Sequence, residues 1–419
     1  MTNNNPFKKG TVHYCSPAHG GWGVVRVGML VPESYQLFVC PSACGRHGAL
    51  GAIEHGNKDR LSYLYIDEAD IVSGSYEDLI LEGVDALLEV LEEQPKAMFI
   101  FVSCLDDLLG TDHPAILDVL NKKYPIKFQV GHMNPITQGS KTPPPVTLQR
   151  KMYELVEGNG ENTQALNLLG NFIVLEEDNE LFDVVKQLGI EQVRHISEQT
   201  TFEAFEKMGE SKFNLVLRPE AKVAAEDMKR HHGIEYRFLP VSYDMETVEA
   251  QYKEIIELIN KDVAIDFTAI QEETKAAIEK AKEVIGDFPI VIGNSAICRP
   301  FNLAKALINY GFNVQKIYAE EVTAFEKDSF AWLQENAPHV EMVAAAHHNH
   351  VNRVEEEQDC IAIGYNVAYI LKAKHVVDLI QDEGMFGYKG IKSLMEKMTN
   401  AYVEPMSLKE MIDKHGLVV

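Results

Sequence analysis

Six cysteines occur in 419 residues, and Cys15, Cys40, Cys44 and Cys104 all fall in the first quarter of the chain. A thiolate is a soft ligand for zinc or an iron–sulfur cluster, whereas a buried thiol is an inert small apolar side chain. Three of these cysteines have loop-like surroundings: Cys15 in HYCSPAHGGWG, Cys44 in CPSACGRHG and Cys104 in FVSCLDDLLG. Each ends a predicted strand or sits beside one, and the flanking Gly and Pro let backbone amides approach a cluster closely. Loops at the carboxyl ends of parallel strands share one crevice, so cysteines dispersed in sequence can converge there. No C-x-x-C pair occurs, and three residues separate Cys40 from Cys44. The spacing by itself therefore supports a ligand set and ordinary strand-end thiols equally.

Other residues invite chemistry less directly. His347, His348 and His350 in AHHNH follow the apolar run VEMVAA. They could place imidazoles at a cleft as metal ligands or proton donors, and a solvated strand-end loop is the plainer reading for each. Arg299 stands between a strand and a helix opening at Pro300, where it could hold an anion or form a surface ion pair. Cys298 and Cys360 lie beside buried strands and read as packing thiols. His231 and His232 close a helix, where they complement its negative end. Neither a G-x-x-x-x-G-K-[ST] motif nor a G-x-G-x-x-G after a strand occurs, so any ATP hydrolysis must come from another protein.

The elements that must position these groups follow from the hydrophobic pattern. Apolar runs alternate with amphipathic helical stretches in three segments, predicting an α/β fold of three Rossmann-like parallel-sheet domains over 1–164, 165–286 and 287–419. In the first, SYQLFVC and AMFIFVSC are strands around the helix SYEDLILEGVDALLEVLEEQP, and GSKTPPP is an irregular loop before the helix VTLQRKMYELVEG. The second alternates LNLLGNFIVL, EQVRHIS, FNLVLR and EYRFLPV with helices, then continues as a long acidic amphipathic helical stretch from roughly Met245 to Gly286 that links domains. The third contains the strands FPIVIGNS, FNVQKIYA, VEMVAAAH and CIAIG, with a helical remainder from Val376.

Composition narrows the partners. With 39 Lys plus Arg against 63 Asp plus Glu, the formal charge of −24 repels phosphate backbones and argues against nucleic acid. No uncharged apolar run reaches the roughly 18 residues of a membrane span, and MTNNNPFKKG lacks the apolar core of a signal peptide. The expectation is a cytoplasmic protein with no membrane partner, whose cysteines are not a disulfide framework.

With its three cysteine loops in this order, the chain resembles component 1 of nitrogenase and its nitrogenase-like relatives over most of its length. Those relatives include protochlorophyllide and chlorophyllide reductases, a nickel-tetrapyrrole reductive cyclase, methylthio-alkane reductase and cofactor-assembly scaffolds. Cys15 and Cys44 are similar to the first two cluster cysteines of the family, and Cys104 in SCLDDLLGTD to the third, in the most specific of the motifs. The resemblance implies an iron–sulfur cluster, 4Fe-4S or P-cluster-like, on Cys15, Cys44 and Cys104. Cys40 is an added thiol that could supply a further ligand, Asp106 an alternative oxygen, and a partner subunit the remainder. It also implies a nitrogenase reductase-like iron–sulfur ATPase as electron donor, and a second component 1-type subunit, identical or paralogous.

Further along, FNLVLRPEAKVAAEDMKRHHGIEY, IVIGNSAICRPFNLAKALINYGFNV and GMFGYKGIKSLMEKM are similar to family units of the second domain, third domain and C-terminus. Where true nitrogenases carry a cysteine for the active-site metallocluster, this chain has Arg218 or Leu217. The family's histidine ligand has no clear counterpart, and His375 is a poor one. These departures argue against dinitrogen reduction and an iron–molybdenum-type cofactor. What the resemblance then implies is an oxidoreductase subunit that reduces a small-molecule or tetrapyrrole-type substrate. Arg218, His347, His348 and His350 are the candidate substrate-side residues, Arg218 for an anionic group. The alternative is a non-catalytic scaffold or carrier for metallocluster assembly.

Overall fold

The computed structural model describes residues 7, 12–14, 24–54, 56–134, 140–351, 358–406 and 409–411. Among them are three sheets in which every strand pairing is parallel. The first comprises β1 (Ser34–Cys40), β2 (Leu61–Tyr65), β3 (Ala97–Ser103) and β4 (Lys127–Met133), in the order β2-β1-β3-β4. The second has β5 (Asn162–Leu169), β6 (Gln192–His195), β7 (Ser211–Val216) and β8 (Glu235–Phe238), in the order β6-β5-β7-β8. The third has β9 (Ile290–Gly293), β10 (Val314–Ala319), β11 (Glu341–Ala344), β12 (Ile361–Ile363) and β13 (His375–Val377), in the order β11-β10-β9-β12-β13.

All residues of β1 and β3 are buried, as parallel strands covered on both faces require. Leu37, Val39, Met98, Ile100 and Val102 pack against the helices Tyr76–Val90 and His113–Lys123. The alternate residues Phe38, Phe99 and Phe101 face the helix Pro144–Tyr153, and the same cluster takes in Leu169 of β5 and Val216 of β7. The first and second sheets thus share a core and belong to one compact unit. The third sheet forms another with the helices Glu180–Gln187, Met245–Ile259, Thr268–Ile285 and Gly387–Val403.

Several expectations give way to local physics. The helix after GSKTPPP starts at Pro144, with prolines in its first two positions, rather than after the proline run. In a first turn a missing N–H costs nothing and the fixed φ is already helical. The acidic helical stretch resolves into two helices: Met245–Ile259 ends at Asn260, and Asp266 Oδ1 accepts the Thr268 amide at 2.9 Å where Thr268–Ile285 begins. The stretch expected to be helical from Val376 begins inside β13, and its helix starts only at Gly387. Among the described residues no helix is long and apolar enough to cross a membrane.

Candidate functional site

In each sheet the chain grows first to one side and then to the other, leaving one switch point: β1/β3, β5/β7 and β9/β12. Loops leaving adjacent strands in opposite directions open a crevice there at the carboxyl edge.

The thiols flank the first of these. Val39 of β1 pairs with Val102 of β3, so Cys44 and Cys104 both lie just beyond the carboxyl ends of neighbouring strands. Cys44 is exposed, in a turn in which its amide donates to the Pro41 carbonyl at 2.9 Å. Gly45 behind it packs so tightly that an added Cβ would lie 1.9 Å from the Tyr63 ring, and the Tyr63 hydroxyl donates to the Gly45 carbonyl. Cys104 is half-buried and opens the short helix Cys104–Leu109. Cys40, by contrast, is the fully buried last residue of β1. Burial first, and the Cys44 thiol second, push its pKa up to about 11. Cys15 lies outside the described residues; Tyr14 before it donates its amide to the Ala346 carbonyl at 2.9 Å, and His13 bridges to His347.

A polar cluster completes this edge. His113 Nε2 lies 2.7 Å from Asp106 Oδ2, and Asp106 is fully buried. Burial would raise the Asp106 carboxyl, but the His113 imidazole outweighs it and holds the group below the usual carboxylate range. His132, in β4, sets Nδ1 3.1 Å from Asp107 Oδ1, and Asn134 Nδ2 donates to Asp107 Oδ2 at 2.6 Å. Sequence reading missed His113, His132 and Asp107 because β4 and the helix before it were not recognised, so nothing brought His132 beside the Cys104 motif.

At the second switch point, Gly170 after β5 meets Arg218 after β7, and a Cβ on Gly170 would lie 2.8 Å from Arg218 Cβ. Arg218 is 5% exposed, and its guanidinium binds Glu220 through Nε at 3.2 Å and Nη2 at 3.0 Å. The anion beside Arg218 in this structure is the chain's own Glu220, which the arginine holds ionised despite burial.

The third switch point repeats the theme. Gly364, at φ +104°, follows β12 and leaves room for Ala296 and Ser295 of the β9 loop. The amides of Phe301 and Asn302 that open the helix Pro300–Asn309 both donate to Glu326 Oε1, at 2.9 and 3.2 Å. An internal carboxylate therefore fills the helix N-terminus beside Arg299. Glu326 is almost wholly buried, and burial pushes its pKa up to about 7. Asp382, also buried, accepts the Tyr243 hydroxyl at 2.7 Å and the Cys298 amide at 2.6 Å. No spacing in the sequence marks Glu326 or Asp382.

The histidines after β11 divide by environment. His350 is buried, with Nε2 bonded to the Ala344 carbonyl at 3.0 Å, as a packed core histidine would be. His347 and His348 stack at 4.6 Å, His348 exposed and His347 half-buried, with His347 Nδ1 accepting the Asn349 amide. His375 Nδ1 bonds the Ala401 carbonyl at 2.8 Å.

Residues 20–402 match a family model described as nitrogenase component 1 type oxidoreductase. The nitrogenase iron-molybdenum cofactor biosynthesis protein NifE of Clostridium pasteurianum is 22% identical over 257 residues, 58% of this chain and 55% of that protein. The chain thus matches only about half the length of this curated relative. The solved structure of nitrogenase Cp1 at pH 6.5 superposes with a TM-score of 0.71 at 16% identity, covering 96% of this chain and 95% of its own. Its counterpart at pH 5 gives 0.61, also at 16% identity, over 94% and 90%. At such identities the likeness is one of fold.

Proposed function

The chain belongs to the family of nitrogenase component 1 type oxidoreductases, and on that premise we propose that it is a cluster-carrying subunit that takes electrons from an ATP-driven iron–sulfur reductase. Its substrate is a small molecule or tetrapyrrole rather than dinitrogen. One observation carries the reading: Cys44 and Cys104 flank the switch point of the first sheet, one exposed and one half-buried, just beyond the ends of adjacent parallel strands.

The donor chemistry fits an iron–sulfur cluster, with Cys15, Cys44 and Cys104 as thiolate ligands. Cys40 is fully buried at the end of β1, and its raised pKa makes it a poorer donor than the exposed Cys44. When bound, the cluster supplies one-electron transfer. This chain's part is to present the thiolates, the Cys44 turn being seated by Gly45 on Tyr63 at the sheet edge, with fully buried strands behind it. Leu50 and Ile53, on the helix carrying the residues after Cys44, and Leu108, on the helix of Cys104, are exposed apolar side chains. We assign them to the face against which a second component 1-type subunit packs. A cytoplasmic setting accords with reduced thiols.

Anaerobic reconstitution with iron and sulfide tests the reading. The wild-type protein should take up about four irons per cluster and show the broad thiolate-to-iron absorption, and Cys44→Ala and Cys104→Ala should each lose both. Wild-type protein that binds no iron, or alanine variants that bind it undiminished, would refute it.

The second reading is an assembly scaffold, favoured by the NifE relative, whose name assigns it to iron-molybdenum cofactor biosynthesis. Reduction of a substrate panel in the presence of an ATP-driven iron–sulfur reductase separates the two. A scaffold would instead release its cluster to an acceptor protein without turnover.

A further inference from the structure

We infer that Asp106 is the positioning residue of Cys104: through Tyr76 and His113, its buried carboxylate pins the short helix that presents the thiol. The purpose of that pinning rests on the reading of Cys104 as a cluster ligand; its mechanism rests on the contacts behind the thiol.

The helix Cys104–Leu109 has six residues, too few to hold its own shape or direction in water. Tertiary contacts must fix it, and apolar side chains are the usual means. Here the polarity is inverted. Leu108 and Leu109 are exposed, and Asp106 is the one buried side chain of the helix. A buried carboxylate is costly unless paired, and this one is paired with two other elements. His113 Nε2 lies 2.7 Å from its Oδ2, and the buried Tyr76 hydroxyl donates to the same carboxylate.

Both partners stand at helix starts. Tyr76 is the first residue of Tyr76–Val90, and His113 the first of His113–Lys123. The carboxylate therefore joins the openings of three helices. Two of those openings are tied a second time, because the Asp112 amide donates to Glu77 Oε1 at 2.9 Å. At the other end of the short helix, the Gly110 amide donates to the Asp106 carbonyl at 3.1 Å, with Gly110 in the left-handed region. Asp106 follows Cys104 by two residues, within the same first turn. Charge-assisted hydrogen bonds are directional where a leucine contact is not. They fix the rotation of the helix about its axis, and with it the direction of the Cys104 side chain. With its oxygens engaged in this way, Asp106 acts from behind the thiol rather than as an oxygen ligand beside it.

The test is metal-free and uses the full chain. Anaerobic apo protein is pulse-labelled with N-ethylmaleimide, and modification of each cysteine is read by peptide mass spectrometry. Asp106→Asn and Tyr76→Phe should each speed labelling of Cys104 by about 5–30-fold, the population change expected for one lost bond. Buried Cys40, at the end of the neighbouring strand, should keep its wild-type rate. Tyr76→Phe leaves the charge in place, so its effect reads geometry alone. Labelling of Cys104 at the wild-type rate in either variant overturns the inference. So does an equal acceleration at Cys40, which marks general loosening of the fold. Iron uptake plays no part in this readout: a wild-type chain that takes up no iron refutes the cluster, and the labelling pattern still decides the role of Asp106.

Discussion

Glu326 sits in an environment that moves its carboxyl well away from ordinary behaviour, with a clear consequence. Its carboxyl rises from 4.5 in the open chain to about 7 in the fold, because burial outweighs the two helix amides and Arg299. Between those two values the folded state holds a proton that the unfolded state has released, so stability falls as pH rises through this window. The change amounts to about 3 kcal/mol. Glu326→Gln retains an acceptor for Phe301 and Asn302 without the ionisation. Urea denaturation should therefore show the variant gaining on wild type as pH rises from 5 to about 8, and a constant difference would refute the assignment. Arg218 behaves in the opposite way, since its charge is matched by Glu220 at two nitrogens. Glu220→Ala removes two charge-assisted bonds from a buried guanidinium and should cost about 1–3 kcal/mol in the same assay.

At the level of elements, two contacts position whole segments. The turn bearing Cys44 is seated by Gly45 on the Tyr63 ring, with no space for a methyl group. Gly45→Ala must displace the ring or lift the turn, so it should lower stability by about 1–3 kcal/mol and reduce iron uptake on anaerobic reconstitution. Tyr63→Phe, which keeps the ring and loses only the hydroxyl donor, should show the smaller defect. The C-terminal helix Gly387–Val403 has a different anchor. Glu180 accepts the Lys389 amide at 3.0 Å, the Tyr388 amide and the Tyr252 hydroxyl at 2.7 Å, satisfying orphan donors of the first turn with a charge that favours a helix N-terminus. Glu180→Ala should destabilise the fold by about 2–3 kcal/mol in thermal or urea unfolding.

Across the whole molecule, the prediction concerns assembly. Exposed Ile53 and Leu108, at 61% and 74% of full exposure, sit on the two helices nearest the candidate ligands. If a second subunit covers them, Ile53→Glu and Leu108→Glu should shift sedimentation toward a single-chain mass while the far-ultraviolet spectrum stays unchanged. Two copies each of formal charge −24 also repel. Their association should tighten as salt is raised over the physiological range, where screening shortens the reach of that repulsion to about 10 Å.

Alternating apolar runs and helical patterns were enough to predict three parallel α/β sheets, because a strand covered on both faces must be apolar throughout; SYQLFVC and AMFIFVSC announce themselves this way. Cys44 and Cys104 were legible for the same reason, each standing just after such a run. Partly exposed β2 and polar-edged β4 carried no comparable signal, and without β4 no local pattern could bring His132 to Asp106 and Asp107. Tertiary structure also decided which charges are answered from within. Glu220 at Arg218, Glu326 at the helix after Arg299, and Glu180 at the C-terminal helix are contacts fixed by where backbone and side chains pack, and spacing along the chain does not encode them. Cys40 shows the divide most simply: sequence sets its thiol four residues before Cys44, and only the fold makes it the fully buried end of β1 while Cys44 is exposed.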